Sequence, residues 1–312
     1  MNFKRILVSG GFGYIGSYLV NHLLNQGYQV GVLARSVPAH FSELAKLVDV
    51  YIADIVKPIE CVPQKKYDIF IHLAAANDID SRNAEAAIAG TVLGTRNCLE
   101  FCRSNGLKRF VYFSTFQVYG ADTGQVDENT PLNPRNEYAI THVFAEEYVK
   151  MYQRNFGLEY MILRPVNLYG PPLHRNVDRW SLVPNCFCES AYARQKIVLR
   201  SSGKQIKEFI SLEDLCGITT LLCQNFAERK NRVFNAAKGA PISILEIAKS
   251  TKQVYEQIFD KQCELQIESN EPAHSEILMV ATDRIKELGY AYSVEHSLES
   301  DLEEIFHLLA KE

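Results

Sequence analysis

Short apolar runs and helix-length amphipathic stretches alternate through the first half of the chain. The runs are RILVSG (5–10), YQVGVLA (28–34), VDVYIAD (48–54), DIFIHLAA (68–75), RFVYFST (109–115) and EYMILRP (159–165). Val, Ile, Phe and Tyr dominate them and polar alternation is weak, the habit of strands covered on both faces. YIGSYLVNHLLNQG (14–27) and AAIAGTVLGTRNCLEFCRSNG (86–106) lie between them with helical spacing. The second ends in Asn105-Gly106, a pair suited to stopping a helix. Strand and helix in turn predict an α/β fold on a doubly wound parallel sheet.

The rhythm breaks after about residue 170. YGPPLHRNVDRW (169–180) reads as loop, KIVLR (196–200) and KEFIS (207–211) as short strands, and 243–259 and 297–312 as helices. The expected organisation is a first domain over 1–170, completed by about 205–240. A smaller, interrupted lobe takes up 171–204 and 241–312.

The 312 residues are 47% apolar with a net charge of -4, enough for a large core and without the basic face of a nucleic-acid binder. The eight cysteines form no CxxC pair, and His22, His40, His274, His296 and His307 show no ligand spacing, so no metal is expected. The apolar run that follows the basic residues at the N-terminus is too short for a signal peptide. No window reaches the length of a membrane span. A soluble cytoplasmic protein with reduced thiols and no membrane partner is expected.

SGGFGYIGS (9–17) follows the first strand and opens the first helix, with Gly10, Gly13 and Gly16 spaced GxxGxxG. Backbone amides at the positive end of a helix bind a pyrophosphate there, and side chains at the first two glycines would block its approach. In this strand–turn–helix setting the motif points to a dinucleotide. The second strand ends in VLARS (32–36), where an NAD reader usually carries an acid; Ala34 and Arg35 stand there instead. An arginine can pair with a 2′-phosphate, so NADP is favoured over NAD.

NEYAITHVFAEEY (136–148) starts an amphipathic helix and places Tyr138 and His142 on one face, four residues apart. Free tyrosine titrates near pH 10, so a nearby cation would be needed to make it a useful base. A protonated histidine could be that cation, in part, near neutral pH.

Beside these motifs stand LRPVNLYGPP (163–172), GKQIKEFISLEDL (203–215) and RVFNAA (232–237). In order and spacing they resemble the extended short-chain dehydrogenase/reductase family, the nucleotide-sugar epimerases, dehydratases and reductases. The resemblance implies a Rossmann dinucleotide-binding domain, a substrate-binding lobe, a nucleotide-sugar substrate and a homodimer joined through a four-helix bundle. It implies cofactor contacts at Tyr14 and Ile15 beside the glycines, at Asp54 and Ile55, at Leu73, Ala74 and Ala75, and at Pro165. Thr115 would bond the reacting sugar oxygen and Tyr138 would be the acid/base. Gln117, Asn167, His174 and Lys207 would meet the substrate. His72 is expected to be structural.

The chain departs from the family at three places. His142 replaces the lysine of YxxxK, Thr91 stands where the family often has asparagine, and Phe116 and Gln117 replace the Asp-Glu pair of the 4,6-dehydratases. Without a second acid and base, 4,6-dehydration is set aside. Hydride transfer at C4, as a 4-epimerase or a 4-keto reductase or dehydrogenase, is the leading expectation. A dinucleotide-binding sensor or assembly protein with impaired catalysis, and a reductase of a non-sugar ketone, are the alternatives.

Overall fold

The computed structural model describes residues 4–61, 63, 65–226, 232–269, 277–292 and 297–311. They cluster into two compact units, Met1–Gly120 with Thr130–Pro165 and Ile218–Asn235, and Ala121–Asn129 with Val166–Gly217 and Ala236–Glu312.

The first unit is built on a seven-stranded sheet. Its strands are β1 (Arg5–Ser9), β2 (Gln29–Ala34), β3 (Asp49–Ile52), β4 (Ile69–His72), β5 (Arg109–Phe113), β6 (Glu159–Pro165) and β7 (Val233–Ala236), in the order β7-β6-β5-β4-β1-β2-β3. The pairings run parallel, with Val8 opposite both Val32 and Ile71, and Val111 opposite Ile71 and Met161. The order reverses beside β1, and β1 and β4 both end there. In an open α/β sheet that is where a ligand crevice forms.

Three helical segments matter for the site. Helix α1 (Tyr14–Asn25) starts at Gly13, which has no side chain to cap it. A long helix is capped by Asn83, whose Oδ1 accepts from the Ala86 amide; it passes through a π-helical stretch at Ile88–Leu93 and continues as α2 (Gly94–Ser104). Gly106 then adopts φ +70, as the expected stop requires. Helix α3 (Glu137–Phe156) is capped by Asn136, whose Oδ1 accepts from Ala139 N at 2.8 Å, and it ends at Gly157 with φ +69.

The inner face of the sheet packs Leu7, Phe70, Phe110, Tyr112 and Ile162 against Cys98, Leu99 and Cys102 of α2 and Val149 and Tyr152 of α3. Phe70 and Phe110 stack with centroids 5.4 Å apart. Each such side chain contributes about 1.5–3 kcal/mol on leaving water. The six runs read as strands from the sequence are β1 to β6; β1, β2, β4, β5 and β6 are buried along most of their length and do not alternate, while the edge strand β3 is only half-buried.

The second unit holds four two-stranded pairings: Asn167–Tyr169 with Phe209–Ser211, Lys196–Leu199 with Glu264–Ile267, Ile206–Lys207 with Ile242–Ser243, and Gly124–Val126 with Leu278–Val280. Helices Val183–Arg194, Ile244–Phe259 and Leu298–Ala310 enclose Phe187, Ile197, Leu199, Tyr255 and Phe306. Two features of this unit were not legible in the sequence. Residues 121–129 belong to it because their strand pairs with 278–280, and the strand at 209–211 belongs to it because its partner is 167–169. Strand partners this far apart leave no local signal.

Candidate active site

The glycine turn closes on itself and on β4. Gly10 has φ +73, and a Cβ there would come within 2.9 Å of Ala74 N; a Cβ on Gly16 would meet Gly10 O at 2.0 Å. Neither position admits a side chain, so the turn stays open along its backbone at the first residue of α1. Gly13, Tyr14, Ile15 and Gly16 form that turn and helix start, and half-buried Leu73, Ala74 and Ala75 follow β4 on its other side. Asp54 and Ile55 follow β3. Ile55 packs on Gly94, and its carbonyl accepts from Asn97 Nδ2 at 2.8 Å. A bare turn, an uncapped helix start and small residues after β4 fit a dinucleotide. Arg35 is exposed just after β2, and Pro165 is buried at the end of β6.

Thr91 lies on the π-helical stretch, buried, with Oγ1 accepting from Ala76 N at 3.2 Å. It ties that helix to the backbone just past Ala75.

At the end of β5, buried Thr115 accepts from Gln117 N at 3.3 Å. Gln117 Oε1 accepts from Asn136 Nδ2 at 3.1 Å, so the turn after β5 is bonded to the cap of α3. A pocket of about 610 Å³ opens here. Gln117, Asn136, Glu137 and Tyr138 line it together with Asp78, Arg82 and Arg135. That volume lies within the range of small-molecule sites.

Tyr138 is half-buried, and its ring meets the His142 ring edge-on with centroids 4.7 Å apart. His142 is buried, Nδ1 lies 2.7 Å from the Tyr112 hydroxyl, and Nε2 has no hydrogen-bond partner among the described residues. Burial pulls its pKa down to about 4, against a weaker opposing pull from Glu146. At pH 7 the imidazole is neutral, unlike the partial cation considered from the sequence.

Glu146 follows His142 by one more turn. Its carboxylate is fully buried, accepts from Ser114 Oγ at 2.7 Å and pairs with Arg164 at 2.9 Å (Nε) and 2.6 Å (Nη2). Burial pushes this carboxyl up, but the bonds from Arg164 outweigh it and hold the pKa below the usual carboxylate value. Arg164 Nη1 also donates to Tyr119 at 3.0 Å, and Tyr119 donates to Asn235 at 2.6 Å. This network bonds the ends of β5, β6 and β7 to α3. Its one sequence trace is the four-residue step from His142 to Glu146. Arg164 lay unassigned within LRPVNLYGPP, and Arg82 and Arg135 gave no signal because a short 3-10 turn and a loop bring them to the pocket.

His72 is structural in its contacts, with both ring nitrogens bonded, to Ser9 Oγ at 2.6 Å and Thr95 Oγ1 at 3.0 Å. Burial lowers its pKa to about 3, with the charge of His142 adding to the effect. A histidine depressed in the fold takes up a proton more readily when unfolded, so stability falls as pH drops below about 6.5 towards the folded values. The expected slope is about 1.4 kcal/mol per pH unit for each ring once pH is well below 6.5. Urea midpoints at pH 7, 6 and 5 check this, and His142→Asn should flatten the curve; equal slopes in both proteins would refute it.

In the second unit Asn167 lies on the strand paired with Phe209–Ser211, and Lys207 pairs with Ile242. Asn167 sits opposite Phe209, and its Nδ2 donates to Glu208 O at 2.9 Å. His174 lies in the loop that follows, its Nδ1 accepting from Asn176 N at 3.1 Å. All eight cysteines are free. Among the described residues there is no cluster able to hold a metal and no helix long and apolar enough to cross a membrane. His274 and His296 lie outside them.

Known proteins share this architecture. The chain is 31% identical over 248 residues to "Putative UDP-glucose 4-epimerase" of Methanocaldococcus jannaschii, covering 78% of this chain and 79% of that one. It is 28% identical over 273 residues to dTDP-D-glucose 4,6-dehydratase of Dictyostelium discoideum, covering 79% and 61%. Its fold matches UDP-glucuronic acid 4-epimerase of Bacillus cereus, solved in complex with NAD, with a TM-score of 0.78 and 22% identity over 98% of each chain. Residues 6–237 match the model of the NAD dependent epimerase/dehydratase family, and the chain, with its seven-stranded parallel sheet and bare glycine turn, belongs to that family.

Proposed function

We propose that the protein moves a hydride at C4 of a nucleotide-activated sugar, as a 4-epimerase or a 4-keto reductase or dehydrogenase. The observation that carries this reading is Tyr138, which lines a 610 Å³ pocket with its ring edge on buried His142. A nicotinamide dinucleotide, held by the glycine turn and the 73–75 segment, would supply the hydride chemistry. The chain's own residues handle the proton and the alignment. Tyr138 takes the sugar's hydroxyl proton when hydride leaves C4 and gives one when hydride arrives, and Thr115 holds the reacting oxygen at the end of β5. Gln117 and Asn136 fix the turn between them. Asn167, Lys207 and His174 are assigned to the nucleotide-sugar, and Gly10, Gly13, Gly16, Asp54 and the 73–75 segment to the dinucleotide.

Phe116 and Gln117 directly after Thr115 support leaving 4,6-dehydration out, although a dehydratase stands among the relatives. NAD is the dinucleotide in the family's own description, and Arg35 is the feature that favours NADP. Incubation with UDP-, GDP- and dTDP-sugars and their 4-keto forms, each with NAD(H) and NADP(H), followed by proton NMR, tests all of this. New C4-inverted or C4-reduced sugars support the reading. A 4-keto-6-deoxy product would overturn it. Cofactor binding with no turnover would favour the sensor alternative, which His142 in place of lysine motivates.

The homodimer belongs to the same reading. Ile88 is 53% exposed, Leu93 41% and Phe144 55%, on the helical stretches 86–102 and 138–153 that the resemblance expects to pair between subunits. Exposed apolar side chains on these helices suit a subunit interface. Free cysteines suit the expected cytoplasm. Phe144→Glu is expected to give a monomer in light scattering; a wild-type monomer, or a variant that remains dimeric, would refute the bundle.

A further inference from the structure

One wall of the pocket beside Tyr138 has no part in the proton chemistry. The turn after β4 supplies it. Ser81 and Arg82 stand on this 3-10 turn, Asp80–Arg82, and line the pocket together with Gln117 and Tyr138. The turn is held from both ends. Asn77 Oδ1 accepts from Ile79 N at 2.8 Å and from Asp80 N at 2.9 Å, the Ser81 amide donates to Asn77 O at 2.9 Å, and Asn83 caps the helix that follows. The turn therefore places its side chains before any ligand arrives, which favours binding.

Three groups in this wall have hydrogens to donate and no acceptor in the protein. Ser81 is 2% exposed, and its Oγ is buried without a hydrogen-bond partner among the described residues. Buried hydroxyls are normally bonded, because leaving one bare is destabilising. The exposed Arg82 guanidinium makes no hydrogen bond or ion pair among the described residues. Gln117 follows from the bonds of its neighbour. Asn136 uses Oδ1 to cap Ala139, so its Nδ2 faces Gln117 and needs an acceptor there. Gln117 turns Oε1 to it, at 3.1 Å, and its own Nε2 hydrogens are left over. Asp78, Glu137 and Arg135 also line the pocket. Two acids and two arginines cancel, so the field of the whole pocket does not draw an anion. Selection falls to the local set of donors.

We infer that Ser81, Arg82 and Gln117 are specificity-determining residues that bind a carboxylate carried by the sugar ring, so that the substrate is a nucleotide-activated uronic acid. Guanidinium and amide N–H groups only donate, so whatever fills this corner must accept. A carboxylate only accepts, offers about four lone-pair sites on two oxygens, and takes all three donors at once. A hydroxymethyl oxygen accepts two bonds at most and brings a proton of its own. An acyl oxygen also accepts two, and it has no charge to strengthen the bond from Arg82. Asp78 and Glu137 remain as acceptors for ring hydroxyls. No residue of the protein satisfies the Ser81 hydroxyl, and a carboxylate oxygen does. The inference rests on the reading of this pocket as the sugar site.

The experiment is titration calorimetry on the full chain with NAD present, comparing glucuronate, glucose and N-acetylglucosamine carried on each of UDP, GDP and dTDP. Binding is read without turnover. On whichever nucleotide binds, the uronate should bind about tenfold or more tighter than the other two sugars, the worth of a hydrogen bond to a charged group. Arg82→Gln should bring that ratio close to one. Ser81→Ala should lower uronate affinity several-fold while its urea midpoint stays at or above wild type, because it removes a hydroxyl that no protein group satisfies. A merely structural Ser81 would give the opposite pair, a lower midpoint and an unmoved affinity, and that result overturns its role. Equal binding of uronate and hexose, a preference for the acetamido sugar, or a uronate preference that survives Arg82→Gln overturns the proposal and leaves the C4 reading standing. Binding of no nucleotide-sugar at all overturns the C4 reading, and this proposal with it.

Discussion

Tyr138→Phe is expected to lower kcat by about 10²- to 10⁴-fold, the usual contribution of a positioned acid/base. The variant loses one oxygen and keeps the ring, so its edge contact with His142 and the helix beneath it should stand. Binding of the dinucleotide should therefore persist, and circular dichroism and urea midpoints should match the wild type. The pattern sought is a fall in kcat and kcat/KM together, because the lost interaction is with a proton in motion. Activity within a few-fold of wild type, on any sugar found to turn over, would remove Tyr138 from the mechanism. Thr115 could not then take its place, since a hydroxyl with an ordinary pKa holds its proton too firmly to act as the base.

Arg164→Met is expected to cost about 3–5 kcal/mol of stability, because it leaves the buried Glu146 carboxylate without its guanidinium partner. Glu146 would keep Ser114 and the more distant Lys150 at 3.6 Å, which do not replace two bonds from a guanidinium. The loss should appear as a lower urea midpoint at unchanged slope. Glu146→Gln in the same chain removes the stranded charge and should recover most of it. The sign of the pH dependence follows from the depressed carboxyl. In the wild type the pair contributes fully above about pH 4.5, and the contribution is lost as pH falls below that value. In Arg164→Met that acid-dependent loss should vanish. A midpoint within 0.5 kcal/mol of wild type would show that the network is not structurally important.

The local pattern by itself determined the strands β1 to β6, the helices at 14–25, 244–259 and 298–310, and the stop at Gly106. Each rests on residues close in sequence: apolar runs covered on both faces, helical spacing, and a glycine at positive φ. The glycine turn was equally legible, because its chemistry depends on side chains that are absent. Tyr138 and His142 were legible as neighbours, since four residues make one helical turn. The protonation of His142 was not. It follows from burial and from the Tyr112 hydroxyl, which arrives from a strand 30 residues away. Glu146 and Arg164 look like ordinary surface residues in the sequence, and only the packing of α3 on β5 and β6 turns them into a buried pair. The pairing of 124–126 with 278–280 was also hidden, because partners so far apart are chosen by the whole fold. What the sequence left open was decided wherever a polar group leaves water: its charge and its partner are set by neighbours that only tertiary packing supplies.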